Sequence, residues 1–187
     1  MCQVVIIPFE FNNEHDALAP ASSHVYYTRM TAVRLAPRET RIEFLMLCDS
    51  AQTTQEGKLY VLGGGWTQVL RLLPPPGVPI VPPPTQFAIA ASFLFDWNDA
   101  NRPIGIRVTV EHQEERPPLF EARAQITAGR PPQSTPGDPL RALIALPILI
   151  NFPESGSYCV RAQMEGADDA IARFRVNDSI MPVAPVG

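Results

Sequence analysis

The amino-acid sequence predicts an all-β protein, an immunoglobulin-like antiparallel β-sandwich of about seven to eight strands. Three observations carry that expectation. Apolar and polar residues alternate with a period of two through four segments of the second half. The chain holds 21 prolines among 187 residues, about twice the usual ~5% share, and proline interrupts helix interiors while tolerating strand edges and turns. From Arg41 onward nothing sustains a helical period.

The elements follow in order. Ile42 to Cys48 is a short apolar run suited to a strand covered on both faces. Asp49 to Gly57 reads as a polar loop closing on Glu56-Gly57, and Lys58 to Leu62 as a strand. Gly63-Gly64-Gly65 then interrupts the chain before Trp66 to Leu70. The segment from Pro74 to Pro84 is expected to form a stiff polyproline II connector. Gln86 to Phe95 is a strand with Phe87, Ile89, Ala91, Phe93 and Phe95 on one face, closed by a turn at Asp96-Trp97-Asn98-Asp99.

Ile104, Ile106, Val108 and Val110 then share one face, as do Phe120, Ala122, Ala124 and Ile126. The same holds for Tyr158, Val160, Ala162 and Met164, and for Ala172, Phe174 and Val176. Leu143 to Phe152, broken by Pro147, reads as an edge strand or one that kinks between sheets. Glu154-Ser155-Gly156-Ser157-Tyr158 looks like the entry to a penultimate strand with a tyrosine corner, the feature that favours the immunoglobulin-like variant. Val160 stands where an antibody domain would carry its disulfide cysteine.

The sandwich is placed at residues 41–177, between an arm at 1–40 and a tail at 178–187. The arm lacks periodicity and is expected to be flexible or to precede a true start at Met30, with a strand at Val4–Ile7 as the alternative. A net charge of −4 and a pI near 5.4 fit a cytoplasmic protein and argue against nucleic-acid binding, which needs a basic patch. No apolar stretch is long enough for a membrane helix. Cys2, Cys48 and Cys159 are odd in number and widely spaced, so reduced thiols are expected.

The sequence nominates no catalytic, cofactor-binding or metal-ligating residue, and no cofactor is expected. Gly63-Gly64-Gly65 lacks the Lys-Ser/Thr of a phosphate loop and marks a bulge or close backbone approach instead. Asp96, Asn98 and Asp99 lack the glycine and distal Glu of a calcium loop. His15, His24 and His112 have no metal-ligand spacing, and no motif surrounds Cys48 or Cys159 to pair either with His112 as a nucleophile. Arg71-Leu72-Leu73-Pro74-Pro75-Pro76 falls short of a polyproline ligand because Gly77 replaces the last proline. Arg107, Glu111, Glu121, Arg123, Arg161, Glu165, Arg173 and Arg175 share the wet face of the predicted sheet as cross-strand charge pairs or as an interface.

Phe44 to Ala51 and Glu56-Gly57-Lys58-Leu59-Tyr60-Val61-Leu62-Gly63-Gly64-Gly65-Trp66 resemble a family of small, uncharacterised, mostly actinobacterial proteins known as a domain of unknown function. Gly156-Ser157-Tyr158 and Phe174-Arg175-Val176 fit the same pattern, so the resemblance covers about Arg41 to Val176. It implies a fold and no activity. The expected role is a non-enzymatic module that self-associates or docks a protein partner. Two alternatives stand beside it: a hydrolase-like enzyme whose Asp49, Glu56 and His112 converge only in space, and a structural subunit of a larger bacterial assembly using the N-terminal arm and the edge at Leu143–Phe152.

Overall fold

The computed structural model describes residues 3–5, 40–77, 81, 83–114, 116–138 and 140–181. Eleven strands occur among them: β1 (Gln3–Val5), β2 (Arg41–Cys48), β3 (Ser50–Thr53), β4 (Leu59–Leu62), β5 (Gln68–Leu73), β6 (Thr85–Phe95), β7 (Pro103–His112), β8 (Phe120–Thr127), β9 (Leu140–Ile150), β10 (Gly156–Met164) and β11 (Ala170–Ile180). They form a six-stranded sheet in the order β1-β8-β7-β10-β11-β5, a three-stranded sheet β2-β6-β9 and a two-stranded hairpin β3-β4. Setting aside β1 and the hairpin leaves eight strands in two layers. The chain is an all-β sandwich, as the alternation predicts.

The alternation places the core. Inward side chains of β7, β10 and β11 (Val108, Val110, Tyr158, Val160, Phe174 and Val176) meet Leu47, Phe87, Ile89, Ile148 and Ile150 from the opposite sheet. A second cluster joins Phe93, Phe95, Leu140 and Ala142 to Ile104, Ile106, Ile126 and Met164. Phe87, Phe152, Tyr158 and Phe174 form an aromatic knot with centroid separations of 5.0 to 6.2 Å, and Trp66 caps it edge-on to Phe87 and Phe174. Such pairs add about 0.5–1.5 kcal/mol each beyond area burial. The tyrosine corner forms: the Tyr158 hydroxyl donates to the Glu154 carbonyl at 2.9 Å.

β6 is buried on both faces because it is the central strand and the hairpin lies over its outer side. Cys48, Ala88 and Ala90 point outward from the three-stranded sheet and are covered by Phe44, Ala51 and Leu59. Here the structure corrects the sequence reading. Ser50 to Thr53 is not loop but β3, paired with β4 from Ser50↔Leu62 to Thr53↔Leu59. A bulge between Ile42 and Phe44 lets Ile42 and Leu45 both face the core although their spacing is odd. The bulged Glu43 accepts a hydrogen bond from the fully buried Ser92 hydroxyl at 2.7 Å and an ion pair from Arg141 at 2.8 Å.

After the hairpin the chain changes sheets. β2 pairs with β6, whereas β5 runs parallel to β11 from Gln68↔Arg175 to Leu73↔Ile180. Trp66 and Thr67 precede β5 instead of belonging to it. Among the described residues β9 lies at the edge of its sheet, pairing with β6, with Pro147 opposite Ala88. β11 continues to Ile180, past the boundary expected at 177. At the N-terminus, β1 pairs with β8 through Gln3↔Thr127 to Val5↔Gln125, overlapping the strand considered at Val4–Ile7. Cys2, His15, His24 and Met30 lie outside the described residues, as do parts of the proline connector and 182–187 of the tail.

Candidate functional site

Asp49, Glu56 and His112, the residues of the hydrolase-like alternative, fall in separate places. Asp49 follows β2 and its carboxylate sits against Gly63, where a Cβ would come within 2.0 Å of Oδ2. Glu56 lies at the hairpin tip, ion-paired to Lys58 at 2.7 Å with both side chains in solvent. His112 ends β7 in a cleft of about 380 Å³ lined by residues 112–114, Arg116 and residues 154–157, so neither Asp49 nor Glu56 reaches it. The structure does not bring Asp49, Glu56 and His112 together.

The cleft has its own chemistry. The His112 ring packs edge-on against Tyr158 at 4.8 Å, and its Nδ1 accepts the Glu114 backbone N–H at 3.1 Å. Its Nε2 lies 3.9 Å from Glu154 Oε1. Arg116 bridges Glu114, at 2.6 Å, and Glu154. Gly156 closes the wall, since a Cβ there would stand 2.9 Å from His112 Nε2. Both acids are therefore matched by one guanidinium.

The thiols do not serve His112 either. His112 pairs with Tyr158 across β7 and β10, which puts Cys159 on the opposite face of the sheet. Burial, and then the neighbouring Glu111, push the Cys159 thiol above its ordinary range. Burial followed by Asp49 does the same to Cys48, whose Sγ donates to the Ala88 carbonyl at 3.3 Å. Both are buried free cysteines held as neutral thiols.

The remaining motifs are absorbed by the fold. Asp96 caps a 3₁₀ turn at Trp97–Asp99 by accepting the Asn98 N–H at 2.8 Å, and Asp99 accepts from Thr40 at 2.7 Å. Gly63 and Gly65 adopt φ of 62° and 84°, and a Cβ on Gly64 would stand 2.7 Å from Met46 Sδ. The triple glycine thus meets backbone conformation and close approach, as the sequence implies. Arg71 is locked to Asp178 by bonds of 2.7 and 3.0 Å and to the Phe152 carbonyl at 3.2 Å. Among the described residues no group of three or more His, Cys, Asp and Glu side chains is placed to hold a metal ion.

One feature escaped the sequence reading: the open side of β4. Thr54 N–H bonds the Lys58 carbonyl, so in this antiparallel register Lys58, Tyr60 and Leu62 exchange their main-chain bonds with β3. The N–H and C=O groups of Leu59 and Val61 consequently point away from β3, and among the described residues β4 has no second neighbour. Leu59 packs inward on Cys48, Ala88 and Ala90, while the alternate side chains face solvent. Tyr60 is 59% exposed and Leu62 71% exposed. The signal available in the sequence was four consecutive large apolar residues on a hairpin with only one covered face.

Fold and site together define a β-sandwich domain with a polar cleft at His112 and an uncapped hairpin edge, and no helix among the described residues is long and apolar enough to cross a membrane. The chain belongs to DUF6941, a family of unknown function, whose model matches residues 43–177. That span agrees with the 41–176 suggested by the sequence resemblance. No curated protein matches the chain.

Proposed function

We propose that this domain is a non-enzymatic interaction module that associates with a second copy of itself across the open edge of β4. The observation that carries the reading is the coincidence of unpaired main-chain groups at Leu59 and Val61 with the exposed Tyr60 and Leu62. Unpaired strand edges accept further strands. Antiparallel pairing about a two-fold axis centred on Val61 sets Val61 against its own copy and Tyr60 against Leu62 of the second copy. It also brings Lys58 toward the end of β4 where Asp49 rests against Gly63, placing opposite charges together.

Four residues at an edge make a small contact, in the class below about 1,200 Å² that gives weak association. Sedimentation equilibrium up to roughly millimolar protein tests it, with mass expected to rise toward the dimer. Val61→Pro removes an N–H that faces the open edge and not β3, so it should hold the chain monomeric without unfolding the hairpin. Wild-type protein that stays monomeric throughout, or a Pro variant that associates equally well, refutes the reading.

The immunoglobulin-like assignment belongs to the same proposal. It is supported by the order β8-β7-β10-β11-β5 facing β2-β6-β9 and by the tyrosine corner on the penultimate strand. A cytoplasmic setting is supported by the acidic charge and by two buried, unpaired thiols. The hydrolase-like alternative would use the His112 cleft, where no serine hydroxyl or thiol among the described residues bonds the ring.

A further inference from the structure

We propose that the outer face of the six-stranded sheet, at β11, binds an extended acidic protein segment through Arg173 and Arg175. This surface is distinct from the β4 edge and does not depend on it. Elsewhere on the face each guanidinium has a carboxylate. Arg107 holds Glu121 by two bonds of 3.1 and 2.9 Å, and Arg123 holds the same Glu121. Arg161 lies 3.5 Å from Glu111 and 3.2 Å from Asp169, and Arg102 pairs with Glu165 at 2.9 Å.

Arg173 and Arg175 break that pattern. Across β10 they face Cys159 and Ser157, and across β5 Arg175 faces Gln68, whose amide oxygen already accepts from Asn177 at 3.2 Å. Both side chains are exposed, and among the described residues neither guanidinium has a carboxylate partner. The strand therefore displays two unmatched positive charges on a protein whose net charge is −4.

The spacing selects the partner. Residues two apart on one strand face stand about 6.5–7 Å apart. An extended peptide with acidic residues at alternate positions presents its carboxylates at the same interval, so two charge-assisted pairs form in one register. Ile171, at 36% exposure, shares the face at one end of the arginines. Leu70, at 59% exposure, stands opposite Asn177 at the other. A segment with apolar residues flanking its acids fits this order. Two unmatched cations on an acidic chain are a poor match for nucleic acid, whose binding grows with the number of phosphates neutralised.

The test uses the full chain and a fluorescein-labelled decapeptide of alternating Glu and Val, read by fluorescence anisotropy. The controls are the same peptide with Gln for Glu and a labelled oligothymidylate. The acidic peptide should bind at low salt and weaken as salt rises toward roughly 0.3 M. The double variant R173Q/R175Q, with an unchanged circular dichroism spectrum, should bind it about 10-fold or more weakly. Arg123→Gln, whose arginine is already engaged by Glu121, should leave binding within about 2-fold. Equal binding of the Gln peptide, unchanged binding by the double variant, absence of binding by wild-type protein, or tighter binding of the oligonucleotide each overturns the proposal.

Discussion

Replacing Tyr158 by Phe isolates one hydrogen bond in the middle of the aromatic knot. The ring is fully buried between His112, Phe152 and Phe174, at centroid distances of 4.8, 5.0 and 5.9 Å, and Phe preserves those contacts. What is lost is the 2.9 Å bond from the hydroxyl to the Glu154 carbonyl. A net hydrogen bond contributes about 0.5–1.5 kcal/mol, so Tyr158→Phe should cost about 1 kcal/mol and lower Tm by about 2–4 °C. Tyr158→Ala removes the ring as well and should cost about 3–5 kcal/mol. Urea unfolding followed by tryptophan fluorescence reads both, because Trp66 packs on Phe87 and Phe174 beside the mutated site. The midpoint should shift with an unchanged slope. A Phe variant within about 0.3 kcal/mol of wild type, or one as damaged as the Ala variant, would refute the corner's assigned contribution.

Gly63→Ala should lose about 1–2 kcal/mol, since φ of 62° disfavours an L side chain and the new Cβ displaces the Asp49 carboxylate. Gly57→Ala, with φ of 74° and no atom within 4 Å of the new Cβ, should lose only the backbone part, and equal losses in thermal unfolding would exclude the clash at Asp49. The Glu43, Glu121 and Asp178 carboxyls are held below their ordinary range, chiefly by hydrogen bonds from Ser92, Arg107 and Arg71 respectively. The unfolded chain therefore binds protons more readily, and the stabilisation present near neutrality must fall once pH drops through about 4 and be gone below the folded-state values. Asp178→Asn should flatten that acid limb in a urea–pH series, and an unaltered limb would show that the Arg71 pair contributes nothing to it. Cys48 and Cys159 should react slowly with a thiol reagent at mildly alkaline pH in a Cys2→Ser background and rapidly in urea; fast native labelling would contradict their burial.

The sandwich was legible wherever one strand face is wet. On β7, β10 and β11 each inward residue expected from alternation is on the core side, because burial of one face imposes a period of two. Of the hairpin, β4 was legible as the strand expected at Lys58–Leu62, whereas β3 was not, for the opposite reason. In β3, Ser50-Ala51-Gln52-Thr53 contributes one small residue, Ala51, to a patch made of Cys48, Ala88 and Ala90, and small-on-small packing leaves no apolar periodicity. The open edge at Leu59 and Val61 stayed hidden with it, since an unpaired strand side is a property of the pairing and not of the residues. The charged face could be assigned to one side of a sheet, yet which arginines lack partners depends on the register that sets Arg173 opposite Cys159 and Arg175 opposite Ser157. The parallel pairing of β5 with β11 is likewise absent from any local window.

That pairing has a consequence for how the chain is made. Arg71 and Asp178, which clip β5 to β11, are 107 residues apart. A ribosome adding about 5–20 residues per second emits β5 roughly 5–20 s before its partner strand exists. Through that interval Val69, Leu70, Leu72 and Leu73 lack the strand they pair with in the folded protein, while β2 can pair with β6 as soon as Phe95 has been made. The nascent protein thus carries an unclaimed sticky strand for most of its synthesis. The proline-rich stretch directly after Leu73, poor in main-chain donors, limits how far a wrong partner could zip along it.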